Sequence, residues 1–414
     1  MDSQRIGRRI AYWRERRRLT QSDFGALMGK SRWVQDLEGG ARQADPRLSV
    51  LESAARVLGV RLGVLLADAP GVECVDAVEL EAIRTVLQSH DVITGTADAD
   101  PAEPLDVDTL RRRVALGWVP FQASNFASLG RLVPDLLTVA NRAAARHTGD
   151  DQLAAYRALS MALQLTEATA IKYGSGDLAH IAGHRAVVAA ERSGDPVTMA
   201  SACRHLADAM TNHGQPYAAA SFAVAAAERL GPDLIGRGPA GLSTLGMLYL
   251  KAAMAKANAA EGDDARAASA VRAVPGLLDQ AAEHAAELGD QGDGNALWTA
   301  LGRTNVALYR VAAHVQLAEG AEAVAVALAI PEPSRAVLPR ERRAHHLADL
   351  ARAYTQAGRR EDAVGTLLDA EREAAEEVLC RPRTRQLVED LRLLGTGSAE
   401  GQLRALADRC GLPG

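Results

Sequence analysis

Aromatic residues make up only 4% of this 414-residue chain, lysine occurs four times (Lys30, Lys172, Lys251, Lys256) and cysteine four times. Few aromatics beside abundant alanine argue against sheets and for closely packed helices, because alanine has the best helix propensity and lets helix axes approach. An all-α chain is predicted. The lysine shortage leaves arginine to supply nearly all of the 47 basic residues, a bias of GC-rich coding that says little about mechanism. Cys74, Cys203, Cys380 and Cys410 stand far apart with no Cys-x-x-Cys pair, so buried reduced thiols are expected rather than disulfides or structural zinc.

Long apolar runs are also missing. No stretch approaches the roughly 20 residues that cross a bilayer, and the N-terminus is basic without a signal-peptide core, so a cytoplasmic location with no membrane partner is expected. Catalytic signatures are absent too: no GK[ST] phosphate loop, no His-Glu-x-x-His and no G-x-S-x-G elbow. LGDQGDG at 288–294 lacks the carboxylate spacing of a calcium loop and reads as an inter-helix turn. Neither an enzyme nor a cofactor or metal is expected.

What is present is unevenly distributed. Residues 1–68 hold 13 Lys or Arg against 8 Asp or Glu, whereas the remainder holds 34 against 44. A locally basic end on a chain of net charge −5 is an electrostatic footprint for nucleic acid that the whole-chain balance hides. In TQSDFGALMGKSRWVQDLEGG, residues 20–40, Thr20 caps a predicted helix of Gln21 to Met28, Gly29 ends it, and Ser31 caps a second helix to Glu38. Phe24, Leu27 and Met28 form one apolar stripe, and Val34 and Leu37 another. Ile6, Ile10 and Trp13 predict a covering helix upstream. Downstream, Pro46 opens a helix with Leu48, Leu51, Ala55 and Leu58 on one face, and a fifth follows around Leu62 to Leu66.

Arg14, Leu19, Thr20, Gln21, Gly29, Glu38 and Gly40 together resemble the lambda-repressor-like, or xenobiotic-response-element, type of helix-turn-helix. That resemblance implies double-stranded DNA as a partner, a homodimer reading paired half-sites, and an ion pair between Arg14 and Glu38 that fixes geometry rather than adding stability. It also implies a phosphate contact for Gln21 at a helix N-terminus. Ser31, Arg32, Gln35 and Asp36 face the bases; Arg32 suits either a bidentate guanine contact or a phosphate. Lys30, Arg42 and Arg47 complete a phosphate clamp, and Arg16 to Arg18 read as a solvated helix end. The run from Gly29 to Glu38 is one residue shorter than the family pattern, with the gap at the turn or the start of the recognition helix.

Residues 69–106 read as a linker with a short helix in VELEAIRTVLQ. Beyond it, residues 107–414 are helical and repetitive. Leu347, Leu350, Ala351, Tyr354, Gly358, Ala363, Leu367 and Ala370 stand at the spacings of a tetratricopeptide unit, with weaker copies at Gly174, Gly214, Gly262 and Gly320, each followed five residues later by alanine. Stacked helical pairs would form a solenoid with a concave groove. Trp298, Arg303, Asn305 and Tyr309 are its densest ligand candidates: Arg303 for an anion, Asn305 for an amide, the aromatics for stacking or simply for packing between repeats. His180, His184, His205 and His314 read as ordinary helical histidines. The two halves resemble actinobacterial regulators with this helix-turn-helix and a tetratricopeptide-like region, which implies DNA binding controlled by a peptide or small-molecule effector. A repeat region that binds a protein partner, or an adaptor without specific DNA binding, are the alternatives.

Overall fold

The computed structural model describes residues 3–17, 19–29, 34, 38, 47–58, 60, 62–66, 77–89, 103–260, 264–289 and 295–412, and every regular element among them is helical. The chain divides into two compact units, Met1–Glu79 and Leu80–Gly414. No helix among the described residues is long and apolar enough to cross a membrane.

In the first unit, α1 (Ser3–Arg16), α2 (Gln21–Leu27), α3 (Leu48–Leu58) and α4 (Leu62–Leu66) surround a small core. Ile6, Ile10 and Trp13 of α1 meet Phe24, Val34, Leu51, Ala54, Ala55, Leu58 and Leu65 there. Thr20 and Asp23 cap α2 reciprocally: the Asp23 N–H donates to the Thr20 hydroxyl at 3.1 Å and the Thr20 N–H to the Asp23 carboxylate at 3.2 Å. Gly29, at φ +65°, adopts the left-handed conformation just beyond α2. Two apolar assignments need correction. Leu27 is 62% exposed and Leu48 58% exposed, because α2 turns only Phe24 and Gly25 fully inward and the buried face of α3 centres on Leu51 and Ala54.

Helix α5 (Ala77–Gln88) lies where a linker is expected, yet its Ile83 and Leu87 are buried in the core of the second unit. The rest of that unit runs α6 (Val107–Gln122), α7 (Phe126–Arg146), α8 (Gly149–Lys172), α9 (Gly176–Ser193), α10 (Pro196–Asn212), α11 (Pro216–Ile235), α12 (Gly238–Asn258), α13 (Asp264–Glu287), α14 (Arg303–Gln316), α15 (Gly320–Leu328), α16 (Glu332–Ala336), α17 (Arg340–Gln356), α18 (Arg360–Glu373), α19 (Ala375–Leu379), α20 (Pro382–Leu394) and α21 (Glu400–Arg409). Neighbours in sequence pack on one another. In addition α6, α8, α10, α12, α14, α17 and α20 each touch the next of their own set, forming an inner row, and α17 reaches back to α6.

One turn recurs along this unit. A residue in the left-handed region follows a helix at Ser124, Gly174, Gly214, Ala318 and Gly358. The next residue's N–H then reaches back to the carbonyl five positions earlier, from Asn125 to Pro120, Ser175 to Ala170, Gln215 to Met210, Glu319 to His314 and Arg359 to Tyr354, at 2.8–2.9 Å. This closes the helix's orphan carbonyls. Five residues after each turn sits a buried side chain: Leu129, Ala179, Ala219, Ala323 and Ala363. The sequence pairing of Gly320 with Ala325 is therefore displaced by two residues from Ala318 and Ala323, and Ala325 is exposed. Gly262 lies outside the described residues. Cys203 and Cys410 are free and buried, but Cys380 is disulfide-bonded, against the expectation of four reduced thiols. Cys380 is half-buried at the end of α19.

Candidate functional site

Two arrangements stand out, one in each unit. In the first unit the Arg14 guanidinium donates to both carboxylate oxygens of Glu38, at 2.7 Å from Nε and 2.9 Å from Nη2, and its Nη1 donates to the Leu19 carbonyl at 2.8 Å. The Arg14 side chain is 9% exposed and that of Glu38 6%, and the hydrogen bond to Glu38 raises the arginine pKa. Gln21 joins them. Its amide, expected on a phosphate, donates to Glu38 Oε2 at 2.8 Å. Arg17 likewise is no solvated helix end: it lies 5.3 Å from the Trp13 ring centre and donates to the Leu58 carbonyl at 2.9 Å. Arg47 is exposed just before α3. Lys30, Ser31, Arg32, Gln35, Asp36 and Arg42 lie outside the described residues.

In the second unit the inner row of helices lines a half-open cavity of about 390 Å³. The residues facing it recur at helical spacing, Arg204, His205 and Asp208 on α10, Met247, Lys251 and Met254 on α12, Asn305, Tyr309 and Ala312 on α14, and Glu341, Arg342 and His345 on α17. Three of the four sequence candidates are brought together here. Trp298, Asn305 and Tyr309 line the cavity, but Arg303, at the exposed start of α14, does not. An arginine from another helix stands against these residues instead: Arg342 of α17, whose Nε donates to Asn305 Oδ1 at 2.7 Å and whose guanidinium carbon sits 4.4 Å from the Tyr309 ring centre. Asn305 also donates to the Thr299 carbonyl at 3.3 Å, so its amide is engaged within the protein.

The aromatic wall was half visible. Trp298 stacks on Trp118 of α6 with ring centres 5.0 Å apart and planes 9° apart. Trp298 is carried on a segment in which Asn295, Leu297, Trp298 and Ala300 all have positive φ, a cluster of strained backbone typical of ligand clamps. A reciprocal pair of amide bonds between Gln122 and Asn295, at 3.2 and 2.8 Å, ties that segment to α6.

Titratable groups in the wall are displaced from their usual ranges. Burial pushes the Glu167 carboxyl well up and the His205 imidazole well down, and Glu167 Oε2 and His205 Nδ1 share a hydrogen bond of 2.6 Å. Burial also holds His345 at about 4, despite Glu341 and Asp349 beside it. Lys172 is clasped by Glu341 and the fully buried Glu377, and Lys251 by Asp208 at 2.7 Å. Six cationic side chains line the cavity against three carboxylates, in a region of the chain that is acidic overall. Two of the four lysines are here, and their placement in an arginine-rich chain was a signal the sequence offered.

No protein-family model matches this chain, and no curated protein matches it either. Among the described residues no group of histidine, cysteine or carboxylate side chains is arranged to hold a metal.

Proposed function

We propose that this protein is a sequence-specific DNA-binding transcriptional regulator: a helix-turn-helix unit followed by a tetratricopeptide-like solenoid whose cavity holds a small effector that controls DNA binding. The observation that carries the reading is the buried Arg14, Glu38 and Gln21 group. It ties α1, the start of α2 and the helical residue Glu38 into one rigid frame, in the part of the chain where positive charge is concentrated. A frame of this kind orients a recognition helix without itself touching bases. The effector half of the reading is supported by the polar and aromatic cavity of the second unit, whose size matches small-ligand sites. Binding as a cytoplasmic homodimer to paired half-sites follows from the same reading.

The deciding experiment is a salt titration of binding to promoter fragments and to random duplex. Specific binding should exceed random by at least about a thousandfold and weaken steeply with salt. Arg47→Ala should flatten the log–log slope by about 0.9 for each phosphate contact it removes. Promoter and random fragments bound equally well would sink the regulator reading. Glu38→Ala leaves the buried Arg14 charge with only the exposed Glu15, at 3.3 Å, as its partner, costing about 3 kcal/mol. Calorimetry should show the first unit melting early while the second unit's transition is unmoved.

A further inference from the structure

We propose that the cavity of the second unit takes a small planar aromatic carboxylate, its negative charge on Arg342 and its ring against Trp298. The proposal rests on the reading of this cavity as the effector site and names the effector's chemistry. Arg342 is only 9% exposed, and among the described residues no carboxylate lies within ion-pair distance of it. Its Nη2 has no hydrogen-bond partner in the protein. Three of the other cavity cations are compensated: Lys172 by Glu341 and Glu377, Lys251 by Asp208, and Arg381 by Glu377 at 3.2 Å, while Arg204 and Arg383 reach the Leu297 carbonyl and the Gln316 amide oxygen. The nearest counter-charge to Arg342, Asp349, feels His345, Arg352 and Arg383 more strongly than Arg342. A buried guanidinium without a direct ion pair is costly to keep, and a guest's negative charge would offset it.

Two more buried polar atoms in the same wall lack partners, Trp118 Nε1 and His205 Nε2. The Arg342 and Trp118 N–H groups are unsatisfied donors that suit an acceptor-bearing guest; a neutral apolar one would leave both unpaired. The flat partner is indicated by the walls. Trp298, half-exposed and backed by Trp118, is held on strained backbone, and Tyr309 lies across the cavity lining under Arg342. A volume of about 390 Å³ admits a molecule of drug-like size and excludes a folded domain or a duplex.

The test titrates the full chain, without DNA, with indole-3-acetate and with its neutral isostere indole-3-acetamide. The acid should bind saturably with a dissociation constant below about 1 mM and the amide at least about tenfold more weakly. Arg342→Gln should erase that preference, and Trp298→Ala should weaken acid and amide alike by about tenfold. Equal binding of acid and amide to the unaltered protein overturns the proposal, whether or not Arg342→Gln folds. So does an absence of saturable binding in that range for the indole, naphthalene and benzene carboxylates together. Because no DNA is present, loss of promoter binding with the acid preference intact would remove the regulator reading and leave this one standing, and the reverse result would do the opposite.

Discussion

At the scale of single residues, the second unit tolerates costs that a purely structural core would shed. His346 is 2% exposed and neither ring nitrogen has a partner in the protein. Burial first, and the Arg342 charge second, hold its pKa down at about 4 against 6.5 in an unfolded chain. Between those values the unfolded chain binds a proton that the folded one lacks, so stability present at neutral pH is lost as pH falls from about 6.5 toward 4. For His346 alone the loss between pH 7 and pH 5 is about 2 kcal/mol. His346→Leu should remove this share and spare the buried ring nitrogens, so urea unfolding at the two pH values should converge by that amount. Equal losses in variant and parent would show that His346 does not titrate on unfolding. His345 is held low by the same burial and keeps its own share in both proteins, which makes the difference between them specific to His346.

Elements reveal why part of the repeat was readable and part was not. Glycines at 174, 214 and 358 mark turns whose φ of +71° to +80° disfavours other residues, so their spacing to the buried Ala179, Ala219 and Ala363 shows in the sequence. At Ala318 the same turn is made by alanine at φ +61°, and Gly320 nearby mimics the signal for a different reason. A Cβ on Gly320 would stand 2.7 Å from the Ala353 carbonyl oxygen and 2.6 Å from Gln356 Cβ, so this glycine exists to let α15 approach α17. Ala318→Gly should therefore raise stability by about 1 kcal/mol, whereas Gly320→Ala should cost about 1–3 kcal/mol. Denaturant midpoints of the pair decide it, and a neutral Gly320→Ala would mean that the two helices are free to separate. The cavity shows the same division. Trp298, Asn305 and Tyr309 were legible as polar and aromatic residues clustered on a helical stretch, while Trp118, His205 and Arg342 sit on three other helices, and no local pattern announces that those faces meet.

Across the whole second unit, the cavity exists because the inner row closes on itself. Phe126 and Ala127, whose N–H groups open the 21-residue helix α7, donate to Glu376 at 2.6 and 2.9 Å, and the positive end of that helix favours the carboxylate. Lys172 at the end of α8 is buried against Glu341 of α17 and Glu377 of α19. These contacts join residues 169 to 250 positions apart, and in sequence each partner looks like an ordinary solvated helix charge. Lys172→Met would leave two carboxylates facing each other away from water, at a cost of about 3–5 kcal/mol if closure is maintained. Opening the row lets water reach them instead. The variant should accordingly remain helical while its radius of gyration rises in small-angle scattering and hydrogen exchange accelerates in α6 and α17 together. Because the cluster is buried, the parent should stay closed in about 1 M salt. A variant with unchanged scattering and unchanged protection would show that closure is held by the apolar packing of α6 against α17 rather than by Lys172.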